Sequence, residues 1–277
     1  MKTSDRGHRE AVTTVEIITE GIHRTDCLVT ESPLQLVING RRFAVLMRTP
    51  GTAINSDIHL ALGFMFSEGI IDDVDDVSGI GYCSDQVNPN RHHTIRAQLH
   101  DGGGLNERLQ FNQRSTSVSS ACGSCGRIDG ANLPTVFPDR PVYGLPSVDI
   151  VQRLPTLLRE HQIIFDETGG VHGAALVDST GDLRLVAEDI GRHNAVDKVI
   201  GAALSDTEII LEGSLLVVSS RISFDIVQKA LRASLSAVVG VGAASSLAHE
   251  LARSNGLHLF SFTRSDRTNC HTIPKAC

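Results

Sequence analysis

Apolar and polar positions alternate through much of the first hundred residues. Leu34-Gln35-Leu36-Val37-Ile38, followed by Asn39-Gly40 and then Arg42 to Leu46, predicts a hairpin, because Asn-Gly suits the positive φ angles of a type I′ turn. The spacing then lengthens. Ile58, Leu62 and Met65 share one side of a predicted helix from Asp57 to about Glu68, with Ser56 as its cap and Gly69 as its stop. The polar region Cys83 to Asn112 holds a predicted strand near Thr94 to Leu99 and a turn at Gly102-Gly103-Gly104. From Arg114 to Gly130 the chain is rich in small residues and reads as loop. Pro134, Pro138, Pro141 and Pro146 then predict an extended linker.

Beyond about residue 148 the pattern changes to alternating helix and strand. A helix over 148–161 precedes strands at Ala174–Val177 and Leu183–Ala187, and Val196, Val199, Ile200, Ala203 and Leu204 keep helical spacing. Strands follow at Leu215–Val218, Ala237–Val241 and Leu257–Phe262, separated by helices over 223–234 and 245–254. This alternation predicts a mainly parallel α/β sheet in the second half. No internal repeat is present. The organisation expected is a smaller β-rich N-terminal domain over 1–113, a loop and linker over 114–147, and an α/β domain over 148–277.

Composition narrows the function classes. The 277 residues are 41% hydrophobic and 21% charged, as in an ordinary globular protein. A formal net charge of −7 argues against a chain that coats nucleic acid, and 4% aromatic content without Trp argues against a base-stacking platform. The excess is local, however. Residues 57–107 hold nine acids against two arginines, whereas residues 219–277 hold seven cations against three acids. The second half therefore suits an anionic ligand that the average charge hides. The N-terminus has no apolar stretch of the signal-peptide kind, and the longest apolar run, Ala237 to Ala244, is too short and glycine-broken to span a membrane. A cytoplasmic protein is expected. Its six cysteines then read as free, reactive or metal-binding rather than as a disulfide framework.

Two of those cysteines stand in Ala121-Cys122-Gly123-Ser124-Cys125-Gly126-Arg127. Among six cysteines, a pair three apart arises by chance in roughly one sequence in ten. The setting says more than the spacing, since Ser119, Ser120, Gly123, Ser124 and Gly126 leave both sulfurs uncrowded, whereas structural cysteines sit among apolar neighbours. A second thiol and the Arg127 cation favour the thiolate, which points to thiol or persulfide chemistry. Three rivals compete with this reading. Zinc needs two more ligands, for which Cys83 with His92 or His93 is the irregular choice. A thiol–disulfide oxidoreductase of thioredoxin type should open a helix after a strand, which Gly126-Arg127 fits poorly. The pair can also be inert.

Three further segments carry candidate anion chemistry, and a fourth carries a candidate histidine. In Glu188-Asp189-Ile190-Gly191-Arg192-His193-Asn194, a helix begins at Asp189 or Gly191 and places Arg192 and His193 in its first turn. Cations there oppose the helix dipole unless an anion binds; the alternative is a solvated turn capped by Asp189. Ser219-Ser220-Arg221-Ile222-Ser223 lies at a strand-to-helix junction, the usual ligand position of open α/β sheets, unless Ser223 is simply a cap. Phe260-Ser261-Phe262-Thr263-Arg264-Ser265 leaves another strand and offers an anion or guanine contact, or a plain turn. In Thr168-Gly169-Gly170-Val171-His172, paired glycines allow close backbone approach, although a lone His is more often packed than catalytic.

Taken in order, these segments resemble the FdhD family of formate dehydrogenase accessory sulfur carriers. The resemblance runs through Glu31-Ser-Pro-Leu34, Met47-Arg-Thr-Pro-Gly51, Ala61 to Ile71, Cys122-Gly-Ser-Cys125-Gly126, Thr168-Gly-Gly-Val-His172, Glu188 to Lys198 and Val227-Gln-Lys-Ala-Leu231. It implies a sulfurtransferase in which Cys122 accepts sulfur from a cysteine desulfurase as a persulfide, with Cys125 as partner thiol. The sulfur would pass to the molybdenum cofactor, in its bis(molybdopterin guanine dinucleotide) form, before insertion into formate dehydrogenase. That cofactor would be a bound substrate, with no permanent cofactor or metal. The resemblance also implies a cytidine-deaminase-like C-terminal domain, cofactor contacts at Phe260 to Ser265, and a homodimer. Pro-Cys-x-x-Cys is absent and no His-x-Glu falls in the second half, which disfavours deamination itself. Arg192, His193, Arg221 and Arg264 are the cations expected to hold phosphates. An adaptor that binds a nucleotide and holds zinc on its cysteines is the remaining alternative. Ser220, Ser261, Ala243-Ala244 and Cys270-His271 depart from the family pattern, and Cβ atoms at two former glycines narrow the backbone approach to a ligand.

Overall fold

The computed structural model of the chain describes residues 10–88, 90–100, 137–138 and 141–271. The Cys122–Cys125 pair, Arg127 and the Gly102-Gly103-Gly104 turn lie outside the described residues. The chain opens with an antiparallel ribbon of β1 (Val12–Thr19) and β2 (Ile22–Val29). The sequence pattern does not announce this ribbon. Its turn is Glu20-Gly21, with Glu20 itself at φ 54°, so the usual Asn-Gly signal is missing.

The expected hairpin is present as β3 (Ser32–Ile38) and β4 (Arg41–Arg48), closed by Asn39 and Gly40 at φ 46° and 77°. With β5 (Val77–Tyr82) and β6 (Thr94–Leu99) it forms a four-stranded sheet in the order β4-β3-β6-β5. Helix α1 (Ser56–Ser67) packs beside it. Ser56 is not its cap. Asn55 holds that position in the left-handed region and makes no side-chain capping bond.

The second half contains α2 (Val148–Arg159), α3 (Ile163–Thr168), β7 (His172–Val177), β8 (Leu183–Asp189), α4 (Arg192–Leu204) and β9 (Leu215–Val218). These are followed by α5 (Phe224–Arg232), β10 (Ala237–Gly240), α6 (Ser246–Ser254), β11 (His258–Arg264) and β12 (Arg267–Cys270). The strands form one sheet in the order β12-β11-β10-β9-β7-β8. It is mixed rather than mainly parallel. Only β9–β10 and β10–β11 run parallel, whereas β7–β8, β7–β9 and β11–β12 are antiparallel. The reason is connection length. Residues 178–182 and 265–266 are too short for a crossover, so they can only close hairpins.

Alternate residues of this sheet enter two apolar clusters. Ala175, Val177, Leu215, Val217, Val239 and Phe260 face Val151, Leu154 and Leu158 of α2. Ala174, Leu176, Leu216, Val218, Val238 and Leu259 face a larger cluster that includes Val196 and Ile200 of α4 and Val227 of α5. That cluster continues through Leu60 and Met65 of α1 to Leu34, Leu36 and Ile95 of the four-stranded sheet. No helix among the described residues is long and apolar enough to cross a membrane.

Helices α1 and α4 meet backbone to backbone. A Cβ on Gly63 would stand 1.9 Å from the Asp197 carbonyl oxygen, and one on Gly201 would stand 1.9 Å from that of His59. The paired glycines thus set how closely the two helices approach. Ser67 Oγ donates to Asp197 Oδ1 at 2.8 Å, and Lys229 Nζ of α5 reaches the same carboxylate at 2.7 Å. These buried charges tie three helices together.

Gly63→Ala and Gly201→Ala should each lower stability by about 3 kcal/mol, the upper end of ordinary overpacking, because the neighbour is backbone and cannot rotate away. Gly81→Ala, with nothing within 4 Å of the added Cβ, should leave stability nearly unchanged. Equilibrium urea denaturation of the three variants checks the contrast, and equal midpoints would refute it.

Candidate functional site at the carboxyl ends of the strands

Four of the sequence segments meet at one edge of the mixed sheet. The reversed direction of β7 brings His172 to the edge where β9 ends, opposite Asp189 of β8. Ser219 fixes that corner twice, its Oγ accepting from Gly173 N at 2.9 Å and its N–H donating to Gly173 O at 3.0 Å. His172, Ser219, Val241 and Arg264 line a cavity of about 540 Å³, closed on its other side by Leu158, Arg159, Gln162 and Phe165. The parallel strands β9, β10 and β11 point into it, as open α/β sheets direct ligands.

The cavity holds polar groups whose hydrogen bonds are unmade. Gln162 is 3% exposed, and its Nε2 has no partner. Gly173 makes room for it, since a Cβ there would lie 2.7 Å from that nitrogen. Nearby on α4, Arg192 Nε and both ring nitrogens of His193 are buried without a hydrogen bond, although the Asp225 carboxylate stands 3.5 Å from His193 Nε2. Ser223 occupies the cap position of α5, but its side chain makes no capping bond and its Oγ is orphaned. Buried donors left unpaired cost about 1–3 kcal/mol each, so a cluster of them at one sheet edge marks a place prepared for a polar ligand.

His172 links the two groups. Burial, then the charges of Arg192, His193 and Arg221, push its pKa below the ordinary 6.5, and Asp189 opposes the shift. Arg192, His193 and Arg221 are therefore close enough to act together on an imidazole that lines the cavity. Arg221 is exposed. Glu188 serves the wall: its carboxylate accepts from Ile164 N at 2.8 Å and Phe165 N at 2.9 Å at the start of α3. Burial raises its pKa, and those two bonds oppose the rise.

The remaining expectations fall in several places. Arg264 lines the cavity and donates through Nη1 to the carbonyls of Val241 and Thr263. Phe260 is fully buried in the apolar cluster under α2, so its side chain serves the core. Thr263 is fully buried and bonds Thr268 at 2.9 Å. Ser261 bonds His271 Nε2 at 2.7 Å, and Ser265 lies exposed in the turn after β11. Phe262 is 46% exposed at φ 50°, a conformation that a bulky residue holds only under constraint. Asp189 is no solvated cap. It is buried and accepts from Thr49 N, Gly191 N, Asn194 Nδ2 and Lys198 Nζ. Cys83 is buried with Asn88 Nδ2 at 3.7 Å from its sulfur, and no group of three metal-ligating side chains occurs among the described residues. Sequence reasoning missed Gln162 altogether, because one Gln in a short connection has no spacing to read.

Comparison with known proteins gives concordant matches. A family model described as the FdhD/NarQ family matches residues 29–277. A protein of Corynebacterium efficiens named sulfur carrier protein FdhD is 41% identical over 252 residues, covering 89% of each chain. A protein of the same name from Streptomyces coelicolor is 38% identical over 256 residues, covering 90% of this chain and 88% of its own. A crystal structure described as a candidate formate dehydrogenase accessory protein from Desulfotalea psychrophila superposes with a TM-score of 0.69. It covers 95% of this chain and 97% of its own at 22% identity, and so bears on the fold.

The charge cluster makes a titration prediction. Arg221→Ala should move the His172 midpoint upward, toward 6.5 but not to it, because burial is the larger cause. Ring-proton NMR across pH reads this, and an unmoved midpoint would show that Arg221 does not act on His172. The depressed value also has a stability sign. The neutral ring's contribution is present above 6.5 and is lost as pH falls through the folded-state value.

Proposed function

Since the chain belongs to the FdhD/NarQ family, we propose that it is a sulfur carrier serving formate dehydrogenase, working in the cytoplasm through Cys122. A cysteine desulfurase supplies sulfur as a persulfide. The Cys122 thiolate attacks the terminal sulfur of that persulfide, a new S–S bond forms on Cys122, and the desulfurase thiolate leaves. Electrons balance without an external oxidant. Attack by Cys125 on Cys122 Sγ would then release hydrosulfide and leave a Cys122–Cys125 disulfide for a dithiol to reduce. The names of the relatives support the carrier role, and the sequence's small-residue setting of the two cysteines supports the thiol chemistry.

The acceptor in this reading is the molybdenum cofactor in its bis(molybdopterin guanine dinucleotide) form, bound as substrate at the carboxyl ends of β9, β10 and β11. The observation that carries it is the concentration of buried polar atoms without a hydrogen bond on Gln162, Arg192, His193 and Ser223, near a cavity edged by Arg264. A ligand with pyrophosphates and a purine carbonyl supplies acceptors for such donors. Exposed Phe262, held near that edge, offers a flat face to a base. The mixed sheet with helices on both faces supports the reading of a cytidine-deaminase-like domain turned to binding. The cavity's polar groups favour this over a thiol–disulfide oxidoreductase or a zinc-holding adaptor, neither of which calls for them.

Two measurements test the proposal. Incubation with a cysteine desulfurase and sulfur-labelled cysteine should place label on Cys122, and Cys122→Ala should abolish both labelling and the formate dehydrogenase activity of cells lacking the native gene. Full activity of Cys122→Ala would overturn the carrier mechanism. Separately, GDP titrated by calorimetry should bind about tenfold more weakly to Gln162→Leu and to Arg264→Ala, the loss of one well-placed hydrogen bond each. Unchanged affinity in both variants would move the cofactor site elsewhere.

A further inference from the structure

Two half-buried histidines meet outside the cavity lining, His249 near the start of α6 and His271 just past β12. Their ring centroids are 5.5 Å apart, and the ring planes are tilted by 58°. Both backbones are fixed. His249 N donates to Ser245 O at 3.0 Å, and the Ser245 side chain caps the same helix by accepting from Ala248 N at 3.2 Å. His271 N donates to Leu259 O at 2.9 Å, which carries the pairing of β11 and β12 one residue further. The His271 ring is fixed as well, because its Nε2 lies 2.7 Å from Oγ of Ser261, a residue only 1% exposed.

That arrangement suits two ligands of one metal ion. An imidazole nitrogen binds zinc at about 2.0–2.1 Å, which puts the ring centre about 3.2 Å from the ion. Two such rings have centroids about 4.5–5.5 Å apart as the angle at the ion opens from about 90° to about 120°. The observed separation lies at the open end of that range. With Nε2–H donated to Ser261, His271 keeps the lone pair of Nδ1 for an ion, and a ligating histidine characteristically has its other nitrogen held in this way. Burial, and then the charge of His249, push the His271 pKa below 6.5, which favours the neutral ring that ligation needs. Imidazole selects zinc, nickel or copper, whereas calcium and magnesium take oxygen ligands.

We propose that His249 and His271 form an exchangeable site for a divalent transition-metal ion of the zinc class, with water in the positions that the protein leaves open. Two protein ligands make a weaker site than the four of a structural zinc centre, and no third ligating side chain joins them among the described residues. The ion ties the start of α6 to the end of the β11–β12 pair. Ser261, which orients His271, also begins the irregular stretch of β11 that holds Phe262 at positive φ and brings Arg264 to the cavity. Binding therefore stiffens that edge from behind. Ser261 and His271 are both positions expected to depart from the family pattern, so the site is built from this chain's own residues. It does not rest on the sulfur-carrier reading and stands or falls apart from it.

Zn²⁺ titrated into the full chain, with the histidine ring protons followed by NMR, tests this residue by residue. The His249 and His271 rings should shift together along one saturation curve, at lower ion concentration than the other histidines. Zinc taken up by cysteine thiolates leaves these two rings unmoved, so the readout separates the sites. Mg²⁺ in place of Zn²⁺ should move neither ring. His249→Gln should abolish the early shift of His271, and His271→Tyr that of His249. Ser261→Ala should weaken the joint binding about tenfold, because the orienting partner is lost, an effect that a plain ring contact would not produce. Separate curves for the two rings in the wild type, or no shift up to millimolar Zn²⁺, would overturn the site without recourse to any variant.

Discussion

The site depends on one buried carboxylate. Asp189 ends β8 and is wholly out of solvent, with Lys198 Nζ 2.7 Å away on the first turns of α4. Its oxygens also receive Thr49 N from the segment after β4, and Gly191 N and Asn194 Nδ2 from the start of α4. Lys198 in turn reaches the carbonyls of Thr49 and Glu188 and the Thr52 hydroxyl. Removing either partner would leave an uncompensated buried charge, a loss of about 3–5 kcal/mol. The pair therefore holds the segment after β4, the end of β8 and the start of α4 as one unit. Arg192 and His193 lie within that unit, so their orphaned nitrogens are held in place and not free to find substitutes.

The glycine contact between α1 and α4 completes this frame from the other side. With backbones almost touching at Gly63 and Gly201, α4 can neither slide nor roll. Asp197, held by Ser67 and Lys229, fixes the next residue along. The physical result is a rigid corner at His172, Arg192 and His193, facing a wall that is built differently. That wall rests on a one-turn helix, α3, whose first N–H groups are met by Glu188. Glu188 and Asp189 are neighbours on β8 but point to opposite tasks, as alternation along a strand requires. One sets the wall and the other sets the corner, and the cavity is the gap between them.

What was legible in the sequence follows from how local each signal is. Asn39-Gly40 names its turn by backbone conformation alone, and Phe224, Val227 and Leu231 name a helix face by period alone. Leu215–Val218 shows as a buried strand because all four residues are apolar. Sheet direction is not local. Whether β9 runs with or against β7 depends on a neighbour forty residues away, so the mixed order could not be read from alternation. The motif over 188–198 was legible as special but misleading in its parts. Its acids and Lys198 are the interlock, and Arg192 and His193 are left with nitrogens that make no hydrogen bond. Gln162 gave no signal, since its importance lies in a bond it does not make.

The departures from the family pattern are less disruptive than they look one at a time. Ser261 and His271, two positions expected to depart from that pattern, meet each other: Ser261 Oγ and His271 Nε2 are 2.7 Å apart, beside the β11–β12 pairing. Two expected departures thus share one contact. The irregular pairing between Ser261 and Arg264 persists beside it, with Phe262 N bonded to Gly242 O at 3.0 Å and Phe262 held at positive φ. That bulge aims Arg264 toward Val241 and the cavity mouth. At the other position, Ser220 turns its hydroxyl onto the Arg221 carbonyl, along its own backbone. An added Cβ at a ligand edge is tolerated where its polar atom is already occupied by the protein, because it then offers neither a competing donor nor an unmet one. Both serines satisfy that condition, so neither competes with the unbonded polar atoms of Gln162, Arg192 and Ser223.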